Sequence, residues 1–119
     1  MTGLDLLAKT SRGLFIGGQW RESNTGSRFE VHDPADESVI TDVADGDTTD
    51  AMAALDAAVA AQPDWAATPP RERGEVLRRS FEAIMDQADD FAELISLEMG
   101  KTLAEAKGEV TYAAEFLRW

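Results

Sequence analysis

The chain has 119 residues, 44% of them hydrophobic, with no cysteine and with 23 acidic against 11 basic side chains, a formal net charge of −12. That length supports one modest core, and the missing thiols exclude disulfides, thiolate metal sites and a cysteine nucleophile within these residues. The acidity repels phosphate backbones and anionic bilayers, so neither nucleic acid nor membrane is an expected partner. The opening MTGLDLLAKTSRG carries only a three-residue apolar cluster, no later run is long enough to cross a bilayer, and a cytoplasmic address is the resulting expectation.

Strand signals occupy residues 14–44. LFI and QWR flank Gly17 and Gly18, a pair able to supply the positive φ angles of a tight hairpin turn. After the loop ESNTG, the alternating SRFEVH and SVITDV are joined by DPADE, which predicts a second hairpin. From Asp47 or Thr48, as N-cap, the period becomes helical through Met52, Leu55 and Val59, and Pro63 is expected to end this helix. Thr68 and Pro69 predict a cap and first-turn proline for a second helix, with Leu77, Phe81, Ile84 and Ala88 as its apolar stripe and Glu75 paired to Arg79 on its outer face.

A break near Asp89 and Asp90 opens a third helix, with Phe91, Leu94, Ile95 and Met99 at helical spacing. Gly100-Lys101-Thr102 matches the tail of a phosphate-binding loop, but the position that requires the first glycine holds Ile95. The same residues fit a left-handed glycine stop followed by a capping box of Thr102 and Glu105. The last helix has one stripe of Leu103, Ala106, Val110, Ala113 and Leu117 and a second of Tyr112, Phe116 and Trp119, wider than one small neighbour covers. It reaches Trp119 without a stop signal, which predicts a chain cut inside a helix. Gly108, interior to this helix, predicts the close approach of another backbone or a ligand.

Signals for chemistry are few. His32 is the lone histidine, no G-x-S-x-G elbow, calcium loop or G-x-G-x-x-G occurs, and the scattered acids fit solvated helix faces and starts. Glu105 and Glu109 lie four apart on one helix face, a spacing suited either to an acid/base pair or to solvated surface. No catalytic, cofactor-binding or metal-ligating residue is assigned from these patterns.

Taken in order, LFIGGQW, SVITDVADGDTTDAMAALDAAVAAQPDW and PRERGEVLRRSFEAIMDQADDFAELISLEMGKTLAEAKGEVTYAAEFLRW resemble the N-terminal portion of the aldehyde dehydrogenase superfamily. The closing EMGKTLAEAKGEVTYAAEFLRW is most similar to its succinate-semialdehyde dehydrogenase branch. The resemblance implies an α+β fragment of a larger α/β fold: two N-terminal β-hairpins, then about four α-helices. Residues 1–13 would be a tail and residues 14–119 the N-terminal part of the cofactor-binding domain. It implies a parent that oxidises an aldehyde through a cysteine thiolate, NADP or NAD and a glutamate-activated water, with every one of those residues outside this stretch. The chain would then be scaffold binding no cofactor itself, its partners being the rest of its own polypeptide and further copies in a homo-oligomer. Glu109 and Tyr112 would line the substrate entrance, and backbone carbonyls near Val31 and Glu98 are positions where the family sometimes holds a monovalent cation. The competing expectation is a stand-alone helical interaction or regulatory module derived from such an enzyme.

Overall fold

The computed structural model describes residues 6–119. Two separate two-stranded antiparallel sheets come first: β1 (Leu14–Ile16) with β2 (Gln19–Arg21), and β3 (Arg28–His32) with β4 (Val39–Ala44). The first turn is Gly17 (φ 60°) and Gly18 (φ 79°), as the glycine pair predicts. Its register sets Phe15 opposite Trp20, and the two rings lie 5.1 Å apart at 51°. In the second sheet Phe29 faces Val43 and Val31 faces Thr41, with an irregularity after Val31.

Helix α1 (Thr48–Ala67) begins at an Asp47 cap and runs through Pro63 instead of ending there. Proline at 63 removes the hydrogen bond to the carbonyl of Val59, but Val59 is exposed, so water is available to that carbonyl. The ladder then resumes, with the Thr68 amide donating to the Asp64 carbonyl at 3.0 Å. Thr68 therefore closes α1, its hydroxyl also donating to Asp64 O at 2.8 Å, and does not cap the next helix. Pro69 behind it holds Thr68 extended (φ −61°, ψ 130°), and α2 (Pro70–Asp86) starts one residue later than expected, with no side-chain cap.

Gln87 separates α2 from α3 (Ala88–Met99), so the break precedes Asp89 and Asp90, which fall in the first turn of α3 where acids suit the helix dipole. Glu75 pairs with Arg78 at 3.0 Å, not with Arg79, because Arg78 bridges Glu75 and Glu82 on one face. Helix α4 (Leu103–Arg118) packs against both α2 and α3. The core is small: Ala92 of α3 with Ala106 and Val110 of α4, flanked by Ile84, Ala88 and Ile95. On α4 the buried stripe is Ala106, Val110 and Ala114; Ala113 and Leu103 are exposed. A spacing of exactly four turns that row onto two neighbouring helices, a choice between adjacent alanines that composition does not make.

The described chain measures 49 × 36 × 19 Å, so it is barely two helix diameters thick and no large side chain is fully enclosed. The hairpins and the three-helix unit meet where the β3–β4 turn touches the α3–α4 corner: a methyl group placed on Gly100 would lie 3.0 Å from Pro34 Cγ.

Candidate functional site

Gly100 adopts φ 72°, ψ 12° and its amide donates to the Ser96 carbonyl, the left-handed stop read from the sequence. Thr102 then accepts from the Glu105 amide at 3.3 Å while the Glu105 carboxylate accepts from the Thr102 amide at 3.3 Å and hydroxyl at 2.9 Å. The Thr102 hydroxyl holds the Glu105 carboxyl below the usual range, helped by the Thr102 amide and the Lys101 charge. The Ser96 hydroxyl donates to the Lys101 carbonyl at 2.7 Å, which fixes the corner from the other side. Thus Gly100, Lys101 and Thr102 form a helix-to-helix corner and present no glycine-rich cradle for phosphate.

From this corner the half-buried Lys101 side chain reaches two turns along α4, where its ammonium pairs with the Glu109 carboxylate. Glu105 and Glu109 are accordingly occupied separately, one in the cap and one with Lys101, and do not form a carboxylate dyad. Glu109 lines a groove formed by α2, α3 and α4 whose other lining residues, Ile84, Phe91, Ile95, Val110 and Ala113, are apolar. Tyr112 lies one turn further on and is 69% exposed, its ring set edge-on against Phe116 at 5.1 Å. Phe116 and Trp119 are 68% and 97% exposed. Gly108 opens onto the same side of α4, and a methyl group there would meet nothing within 4 Å; the close neighbour expected from its position is absent among the described residues.

The other polar assembly lies at the hairpins. Asp50, only 3% exposed, accepts from the Arg21 guanidinium at 2.7 Å and from the Asn24 amide at 3.0 Å, and closes a capping box with Asp47. These bonds, the Asn24 amide foremost, hold its carboxyl below the usual range. Arg28 bridges Asp42 at 2.9 Å and Glu22 at 2.7 Å, and Arg12 donates to the Thr41 hydroxyl at 3.0 Å. Every one of these guanidinium groups has an anionic or hydroxyl partner, so the cluster is a clasp for the hairpins. In the sequence its only local sign is the D-x-x-D spacing of Asp47 and Asp50, a capping-box pattern with aspartate at its third position. His32 Nδ1 lies 3.0 Å from the Glu37 carbonyl oxygen and Nε2 lies 3.3 Å from Glu30, a turn contact without a nucleophile beside it. Among the described residues no group of three or more potential side-chain ligands could hold a metal, and no helix is long and apolar enough to cross a membrane.

Residues 20–119 match the profile of the aldehyde dehydrogenase family. The chain is 56% identical over 81 residues to the succinate-semialdehyde dehydrogenase of Paenarthrobacter nicotinovorans, covering 68% of this chain and 18% of that protein. It is 42% identical over 104 residues to the NADP(+) succinate-semialdehyde dehydrogenase of Escherichia coli, covering 87% of this chain and 22% of the relative. In three dimensions it superposes on a crystal structure of an Escherichia coli NADP-dependent enzyme with a TM-score of 0.89 at 41% identity, over 91% of this chain and 22% of the other. The chain thus spans about a fifth of the length of these relatives. With the family profile matching residues 20–119 and the structural match covering 91% of its length, the chain belongs to the aldehyde dehydrogenase family.

Proposed function

We propose that the chain is the N-terminal scaffold of an NAD(P)-dependent aldehyde dehydrogenase that oxidises succinate semialdehyde to succinate. The observation that carries this reading is the 42% identity to an NADP(+) succinate-semialdehyde dehydrogenase sustained over 87% of the chain. The residues present do not fit the dinucleotide: Gly17 and Gly18 are the turn of a strand hairpin, not a strand-to-helix loop, and no other glycine cluster is available. With no cysteine either, the chain supplies no thiolate to attack an aldehyde, so its part in the reaction is support. Glu109 and Tyr112, on the open side of α4, line the substrate entrance. Following the resemblance, the whole enzyme is cytoplasmic and homo-oligomeric, and the rest of the polypeptide covers the exposed apolar face.

The test compares the purified chain with the full-length product of the same gene, following NADH and NADPH formation with succinate semialdehyde. Activity in the full-length protein and none in the 119-residue chain is expected. Turnover by the chain alone would overturn the scaffold assignment. The exposed Tyr112, Phe116 and Trp119 also favour a second reading, a module that binds partners through α4. A reading frame continuing past Trp119 into a dinucleotide glycine pattern and a cysteine defeats that alternative.

A further inference from the structure

The pair formed by Lys101 and Glu109 has a consequence for which aldehydes the entrance admits. Glu109 places a full negative charge at the edge of an otherwise apolar groove. Succinate semialdehyde carries a carboxylate, and a bare Glu109 would repel it on approach. Glu105 adds a second negative charge one turn away, and its capping bonds do not cancel that charge. Lys101 is the cation set against both: its ammonium pairs with Glu109, and its charge is felt by Glu105. Its stem is half-buried and its carbonyl is pinned by Ser96, so the ammonium leaves the corner from a fixed backbone and is not a free surface lysine.

Resting on the proposed entrance role of Glu109, we infer that Lys101 is a positioning and charge-matching residue that neutralises Glu109 and so removes the penalty Glu109 would set against carboxylate-bearing relative to neutral aldehydes. The lysine touches neither the reacting carbon nor a cofactor; it acts through Glu109. The glycine-lysine-threonine string, which reads as half of a phosphate loop, gains a purpose that needs no phosphate.

The experiment uses the full-length enzyme and compares KM for succinate semialdehyde with KM for propanal, a neutral aldehyde. Lys101→Met is expected to raise the ratio of the two KM values roughly two- to tenfold at low salt, for charges about 10 Å apart in an environment between water and protein surface. Added salt shrinks the change. Lys101→Arg keeps the wild-type ratio, and adding Glu109→Gln to Lys101→Met restores it, a rescue that a merely structural lysine would not give. If Glu109→Gln alone changes the ratio while Lys101→Met does not, the pairing inference falls and the entrance reading stands. If no substitution at either position changes the ratio, both fall. Far-UV circular dichroism of each variant checks that the fold is kept; should Lys101→Met not fold, the exchange of both charges, Lys101→Glu with Glu109→Lys, carries the test, and a ratio far from wild type overturns the inference.

Discussion

The hairpin half and the three-helix half are held together by different physics. Within residues 14–44, among the described residues, the only buried hydrophobic residue is Ala44; cohesion comes from a chain of charged and capping hydrogen bonds in which Arg21, Asn24 and Asp47 converge on Asp50, and Arg28 ties Asp42 to Glu22. In α2–α4 the reverse holds: Ala92, Ala106 and Val110 let the helices approach closely, while the ion pairs there are exposed and contribute little each. Small residues make close contact without thickness, and polar clasps fix geometry without a core. Neither half buries its large side chains: Phe15, Trp20 and Phe29 in the hairpins and Tyr112 and Phe116 on α4 stay outside. Both halves thus leave large apolar side chains exposed, in a chain that spans 22% of its relative.

The contrast is open to attack at four points. The largest effect is expected in the helical half, where Ala106→Leu forces three extra carbons into a position with no exposed surface, at a cost of about 1–3 kcal/mol. Chemical denaturation should show the loss, and amide exchange should accelerate in α2–α4 while the hairpins keep their protection. Equal acceleration in both halves would mean that they unfold as one unit.

Gly100→Ala tests the joint between the halves. It combines a left-handed φ of 72° with a methyl group 3.0 Å from Pro34 Cγ, and should cost about 1 kcal/mol or more. A melting temperature equal to that of the parent chain would contradict the strained corner. Asp47→Ala removes the cap of α1, for which about 1 kcal/mol is the usual loss, and here the response should be confined to α1 and the β1–β2 hairpin. Serine at 47 should restore most of it; failure of that rescue would place the role of Asp47 elsewhere, for instance in its contact with the Asn24 side chain.

The mildest perturbation is acid. Asp50, Asp42 and Asp36 all have lowered carboxyl values, through the Asn24 amide, the Arg28 guanidinium and the Ser38 hydroxyl respectively, whereas α2–α4 contain one such group, Glu105. A carboxyl lowered by folding contributes stability above its unfolded value of about 4, and that contribution disappears as pH falls through the lower folded value. Amide exchange in the hairpins, corrected for the intrinsic pH dependence, should therefore lose protection before the helices as pH drops below about 4. Helices loosening first would show that the clasp is not what holds the hairpins.

Local chemistry was legible in the residues themselves. Two glycines in a turn, Asp47 before a helix, Gly100 after one and Thr102 with Glu105 each act within a few positions, so the pattern states the geometry directly. The family resemblance likewise rests on residue order alone. Tertiary structure decided what depends on neighbours distant in sequence. Pro63 is tolerated because α1 is exposed around it. Ala114 and not Ala113 faces the core because α4 lies against two helices at once. Asp50 draws partners from 26 and 29 residues away, and Lys101, just ahead of α4, pairs with Glu109 two turns along that helix. Burial and long-range pairing are properties of the packed whole, set by which surfaces meet, and a one-dimensional period records only which surfaces are available.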